Sequence, residues 1–271
     1  MRHREASADT LGAMRSPRLL VIQHNLDDHL NELAGPLTDA GLSIEPWFTY
    51  ARPSPKLDAS EYDGVLSLGA LVGVKDEGEH PWMSVERSVL EKAIANGTPT
   101  LGVCFGAQLL ASIAGAPVHR ARSPEIGWTP VEMDPSAAQD PVLGALGSRP
   151  HVFQYHYDTF GEPANGTILG RTGSVNQALR IGERAWGLQF HIEVSPGAIY
   201  SWLGTYGEEM QGYGVDLDAL AAETAWRWKP YRKLARDLAG AFAREVEAFG
   251  TGRPTTEGGT KLVRSYGEGA P

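Results

Sequence analysis

The chain has 271 residues, with 24 Lys and Arg against 33 Asp and Glu, and a formal net charge of −9. That balance argues against a nucleic acid or an anionic membrane surface as partner. Hydrophobic residues make up 42%, an ordinary globular content, and the one cysteine excludes an internal disulfide and a cysteine-based zinc site.

Met1–Pro17 is polar, lacks an apolar signal core and reads as a disordered leader. No run of about 18 apolar residues offers a membrane span. A lone cysteine behind such a start fits the reducing cytoplasm. Arg18–His24 (RLLVIQH) reads as a buried first strand from its apolar run. Leu26–Ala40 is expected to be helical, kinked at Pro36 and stopped by Gly41. Ser43–Tyr50 reads as a second strand and Tyr62–Leu68 as a third, which runs into a glycine-bearing loop from Gly69. Ser84–Ala95 is expected as a helix capped by Ser84, with Val85, Val89 and Ile94 inward.

TPTLGVCFGAQLLASIAG, from Thr98 to Gly115, then reads as strand, tight turn and helix. Cys104 lies at the turn between Gly102 and Gly106, the G-x-C-x-G form of a nucleophile elbow. Glycines suit both flanks because a Cβ there would clash at the sharp bend. The helix starting at Phe105 aims its free N–H groups at the sulfur, which favours thiolate. Strands alternating with helices imply right-handed parallel crossovers and an α/β, doubly wound, mostly parallel sheet. In such a sheet ligands bind beyond the carboxyl ends of the strands, so Cys104 and the Gly69 loop are expected to face one crevice.

After Gly115 the pattern becomes short strand-like runs: Pro117–Ala121, Trp128–Met133, His151–Tyr157, Thr167–Gly170, Gln177–Ile181 and Ala185–His191. They suggest a small antiparallel extension. Ile199–Gln211 and Asp218–Phe249 read as helices. Leu234, Leu238, Phe242 and Val246 form a packing stripe in the last, and Pro230 is expected to divide it. Trp226 and Trp228 read as packing residues, and His24 and His151 as structural or surface ones. Thr251–Pro271 reads as a flexible tail, leaving 18–250 as one domain.

His191 and Glu193 stand two apart in WGLQFHIEV, so an extended segment would send both side chains to one face. A histidine can take a thiol's proton and return it to a leaving amine, and a neighbouring carboxylate can orient the ring. Cys104, His191 and Glu193 thus supply nucleophile, base and orienter. No clustered ligands suggest a metal, and the absence of G-x-x-x-x-G-K-[ST] gives no sign of intrinsic ATP use. No cofactor is expected.

GVCFGAQLLA together with QFHIEV, the Gly69 loop, EIGW and QYHYDTF resembles the class I glutamine amidotransferases of the Cys-His-Glu type, closest to stand-alone members. The resemblance implies a flavodoxin-like fold and hydrolysis of the glutamine side-chain amide through a cysteinyl thioester, giving glutamate and ammonia. It implies an oxyanion hole of backbone N–H groups at Phe105 and the Gly69–Ala70 pair. Gln108 matches a position that holds glutamine, and His156, Tyr157 and Asp158 match a loop lining the pocket. Its partners would be glutamine or a γ-glutamyl small molecule, and a synthetase or ligase acting in trans. Three positions depart from the pattern. Ala70 replaces a glycine and disfavours positive φ, Ile192 replaces a proline and loosens the turn, and Tyr157 at the centre of its loop is expected either to narrow the pocket or to contact an unusual substrate. Two other readings stay open: a γ-glutamyl peptide hydrolase, and a regulatory or binding subunit of the same fold with weakened chemistry.

Overall fold

A computed structural model describes residues 15–252. The leader residues 1–14 and tail residues 253–271 lie outside the described residues. The eight-stranded sheet is built from β1 (Arg18–Gln23), β2 (Ser43–Phe48), β3 (Gly64–Ser67), β4 (Thr100–Val103), β6 (Glu132–Met133), β8 (Thr167–Thr172), β9 (Val175–Ile181) and β10 (Ala185–Leu188). Their order is β2-β1-β3-β4-β10-β9-β8-β6. The first five run parallel. The remaining three continue the sheet antiparallel. β5 (Val118–Pro130) and β7 (His151–Phe160) form a separate antiparallel ribbon.

β1, β3 and β4 are apolar almost throughout because both sheet faces are covered. One core packs under α2 (Pro81–Ala95) and α3 (Phe105–Ile113), with Leu20, Ile22, Val89, Leu109 and Leu110. The other packs under α1 (Ala34–Asp39), α4 (Pro196–Gly212) and α5 (Leu217–Thr251), with Leu19, Val21, Leu37, Trp186 and Phe242. No helix among the described residues is long and apolar enough to cross a membrane.

Several sequence expectations change. Residues 26–30 are not helical: only a short 3-10 turn, Asn31–Leu33, and the six residues of α1 form. Pro36 falls within the first turn of α1, where its missing N–H is no loss, so it makes no kink. α2 starts at Pro81, not Ser84, and the Ser84 hydroxyl donates back to the Pro81 carbonyl at 3.0 Å. Val85 and Ile94 are half-buried, and Trp82, Met83, Leu90 and Ala93 supply the inward face with Val89. The two runs Pro117–Ala121 and Trp128–Met133 belong to the long β5, bulged between Arg120 and Glu125, and the short β6. β10 ends at Leu188, so His191 and Glu193 lie beyond the strand. α5 passes through Pro230 unbroken, because Pro230 and Trp226 lie on its exposed face, where water can satisfy the freed carbonyl. Trp226 is therefore 62% exposed, with Arg227 over its ring at 4.2 Å, while Trp228 is half-buried against the core. Arg15, within the expected leader, pairs with buried Asp63 at 2.6 Å.

The elbow is closely packed. Cys104 has φ 51° and ψ −104°, and among the described residues Asn31 is the other non-glycine with positive φ. A Cβ on Gly102 would lie 2.5 Å from the Gly106 backbone, and one on Gly106 would lie 2.4 Å from Ser67 Oγ and 2.5 Å from the Ser67 carbonyl. Both glycines are required by close approach. Gly106→Ala is expected to cost about 1–3 kcal/mol in chemical denaturation. Gly204→Ala, on an exposed position of α4 with nothing near its Cβ, is expected to stabilise by about 0.5–1 kcal/mol.

Candidate active site

Cys104 follows β4 and heads α3, and its N–H donates to the Leu188 carbonyl of β10 at 2.8 Å. The residue after β10 that matters, His191, bridges to Phe153 of β7 and donates its own N–H to the Phe153 carbonyl at 2.8 Å. β4, β10 and the β5–β7 ribbon therefore fix the thiol and the imidazole against each other from separate parts of the chain. Both line one cleft of about 390 Å³ at the carboxyl end of the parallel strands.

His191 Nδ1 lies 2.6 Å from Glu193 Oε1. The other carboxylate oxygen, Oε2, accepts the Ile192 N–H at 2.9 Å. Ile192 thus supplies a donor that a proline could not, and its side chain is fully buried. The turn is held rather than loosened. His191 and Glu193 are 3% and 1% exposed, so little water competes with the pair. Burial alone pushes the His191 imidazole down. The charges of Glu193 and Cys104, and the hydrogen bond to Glu193, outweigh it and hold the ring well above its ordinary 6.5. Trp202 packs edge-on to the ring at 5.0 Å and Tyr231 caps its backbone carbonyl at 3.4 Å.

The Gly69 loop closes the other side. A Cβ on Gly69 would lie 3.2 Å from His191 Cε1 and 3.3 Å from Asp28 Oδ2, so a side chain there would crowd the imidazole. Ala70 is not among the positive-φ residues, and its substitution for glycine introduces no backbone strain. Neither the Ala70 N–H nor the Phe105 N–H donates to another group among the described residues.

The structure also brings Gln108, His156, Tyr157 and Asp158 to this cleft. Gln108 Nε2 donates to the Asp158 carbonyl at 3.0 Å and to Gln189 Oε1 at 3.3 Å. His156 is committed to the protein: Nδ1 lies 3.0 Å from the Asp158 carbonyl, and Nε2 lies 3.1 Å from both Gln154 Oε1 and Glu125 Oε2. It braces the wall that Tyr157 and Asp158 form. Arg120 stacks over the Tyr157 ring at 4.4 Å and lies 3.7 Å from Asp158.

Sequence reasoning missed Asp28, Gln189 and an aromatic wall. Asp28, on the non-helical stretch after β1, lines the cleft and is 6% exposed. Burial holds its carboxyl above the ordinary value against the pull of His191. Gln189, fully buried, approaches Cys104 Sγ with Nε2 at 4.0 Å. Trp202, beside His191, packs on Tyr155 with centroids 5.4 Å apart, and Tyr155 packs in turn on Tyr206 at 6.1 Å. Trp202 and Tyr206 stand four apart on α4, a helical spacing that was a legible signal.

A cysteine at a left-handed elbow, a carboxylate-bound histidine beside it, and free backbone N–H groups around the sulfur define a nucleophile-elbow α/β protein. Residues 23–201 match the family model "Glutamine amidotransferase class-I". The chain belongs to that family. A glutamine amidotransferase from Thermotoga maritima superimposes with a TM-score of 0.76 at 29% identity, over 86% of this chain and 99% of that one. A GMP synthase (glutamine-hydrolysing) of Aeropyrum pernix is 36% identical over 54% of this chain but only 27% of its own length. This chain thus spans about a quarter of that relative. A γ-glutamyl-L-1-hydroxyisopropylamide hydrolase of Pseudomonas is 30% identical over 54% of this chain and 52% of its own.

The raised affinity of His191 for its proton sets a pH test. The pair stabilises the fold fully below pH 6.5, the ordinary value, and its contribution is lost as pH rises through the raised value of the folded protein. Glu193→Gln is expected to cost about 1–3 kcal/mol at pH 6, and the deficit in melting experiments is expected to shrink as pH rises through the raised value of the folded protein.

Proposed function

We propose that the protein hydrolyses the side-chain amide of glutamine, or a related γ-glutamyl amide, with Cys104 as nucleophile. The observation that carries this reading is a sulfur at a strained elbow beside a buried imidazole whose proton is held by Glu193 at 2.6 Å. Cys104 and His191 react as a thiolate and imidazolium. The sulfur attacks the amide carbon, and the carbonyl π electrons move to oxygen. The N–H groups of Phe105 and Ala70 stabilise that oxyanion; one such donor is worth about 10²–10³ in rate. His191 gives its proton to the amide nitrogen, the C–N bond breaks, and ammonia leaves a γ-glutamyl thioester. Water then loses a proton to His191 and attacks the thioester. Glutamate departs, and the proton completes the regenerated pair. Glu193 keeps the ring oriented and stabilises its charge throughout.

Released ammonia is expected to serve a synthetase or ligase in trans, in the cytoplasm. The absence of positive φ at Ala70 and the hydrogen bond from Ile192 to Glu193 favour an active enzyme over a subunit with weakened chemistry.

A second reading is favoured by the aromatic wall. A proton from His191 goes to the leaving nitrogen, so a substituent on that nitrogen lies on the side of His191 where Trp202, Tyr155 and Tyr206 offer apolar contact. The substrate is then an N-substituted γ-glutamyl amide, as in the name of the Pseudomonas relative.

Cys104→Ala is expected to lower ammonia release from glutamine by at least about 10³-fold without loss of folding. Activity surviving this substitution rejects the assignment. Trp202→Ala separates the two readings. A fall in kcat/KM on γ-glutamyl isopropylamide about tenfold larger than on glutamine supports the second.

A further inference from the structure

Behind the Gly69 loop lies a buried polar relay that the reaction does not use directly. His24, just after β1, is 8% exposed, and its Nδ1 lies 2.8 Å from the Gly69 carbonyl. A carbonyl only accepts, so Nδ1 carries a proton and donates. Nε2 lies 2.8 Å from Glu86 Oε2. Glu86, on α2, is fully buried, and its second oxygen accepts the Ser67 hydroxyl at 2.6 Å. Ser67 ends β3, and its side chain presses on Gly106, the residue after Phe105. The His24 ring itself packs against Trp82 and Phe105, with centroids at 4.7 and 5.0 Å.

One carboxylate therefore ties two places together. Through His24 it holds the Gly69–Ala70 peptide, and through Ser67 it backs the elbow at Gly106. In a trans peptide the C=O and the following N–H point in opposite directions. A Gly69 carbonyl pinned toward His24 therefore turns the Ala70 N–H away from His24, and Ala70 lines the cleft beside Cys104. Backbone alone does not fix this plane, because the loop from Gly69 to Val72 lies outside helix and strand.

We infer that His24 is a positioning residue for the oxyanion hole: with Glu86 and Ser67 it sets the Gly69–Ala70 peptide so that the Ala70 N–H faces the reacting oxygen, while Phe105 supplies the other donor. This rests on the proposed cysteine hydrolase reading. It gives His24 a role that its distance in sequence from both motifs conceals. His24 touches no substrate atom and acts through the peptide it holds.

Two substitutions at one site separate this from simple packing. Asn places an amide N–H near the position of Nδ1, whereas Phe keeps the ring and removes the donor. His24→Phe is expected to lower kcat about 10²-fold with KM within about threefold, and His24→Asn to stay within about tenfold of the natural protein. A γ-glutamyl aldehyde, whose thiohemiacetal needs the oxyanion hole, is expected to lose affinity for the Phe variant by about the same factor as kcat. Alkylation of Cys104 by iodoacetamide forms no oxyanion, and its rate is expected to stay within about threefold.

Glu86→Gln, which keeps size and removes one acceptor, is expected to fall between the two His24 variants. A crystal structure of His24→Phe is expected to show the Ala70 N–H turned from the cleft. The inference is overturned by a Phe variant that hydrolyses within about threefold of the natural protein, by equal losses in alkylation and kcat, or by a Gly69–Ala70 peptide unmoved in the crystal. That crystal decides the matter independently of substrate. Hydrolysis that survives Cys104→Ala would instead refute the cysteine hydrolase reading.

Discussion

Steric crowding around the Cys104 backbone is the constraint on which the rest depends. A non-glycine residue at φ 51° and ψ −104° costs about 1–3 kcal/mol and persists only where its surroundings leave no alternative. Here the surroundings are β3, β4 and α3, packed so closely that Gly102 and Gly106 have no room for a Cβ. The N–H of Cys104 is spent on Leu188, which ties the strained residue to β10. The chain beyond β10 then brings His191 to the same cleft. A strained turn and a distant histidine are therefore coupled through one sheet.

The elbow was legible in sequence because its cause is local: two glycines around one cysteine, an apolar strand before and a buried helix after. The parallel part of the sheet was legible for a related reason. Strands covered on both faces read as apolar runs, and β1, β3 and β4 do. Where tertiary packing decides, the sequence misleads. Pro230 argued for a break in α5, but the break depends on whether the orphaned carbonyl can reach water, and that face is exposed. Leu26–Ala40 was expected to be helical, whereas the chain there stays irregular through residue 30 and carries Asp28 into the cleft.

The site's polar groups show the same division. His191 and Glu193 were found together because they are neighbours in the chain. Their contact is not the side-by-side display of a strand but a loop folded so that one carboxylate serves both an imidazole and the Ile192 N–H. His24, Glu86 and Ser67 were invisible as a group, being 62 and 19 residues apart along the chain. His156 shows the converse. The resemblance implies a pocket residue, yet its ring nitrogens are occupied by Asp158, Gln154 and Glu125. Its contribution to the cleft is the shape of the wall, and the EIGW run finds its purpose there too, since Glu125 also accepts from Gln177 at 2.7 Å.

A covalent intermediate on one sulfur is the centre of the account. The most direct measurement is mass spectrometry of protein quenched in acid during turnover of a γ-glutamyl amide, followed by peptide mapping. The account predicts a γ-glutamyl adduct on the peptide bearing Cys104, which disappears when excess hydroxylamine cleaves the thioester. An adduct on any other residue, or turnover with Cys104 free at every time sampled and unreactive toward γ-glutamyl electrophiles, would contradict it.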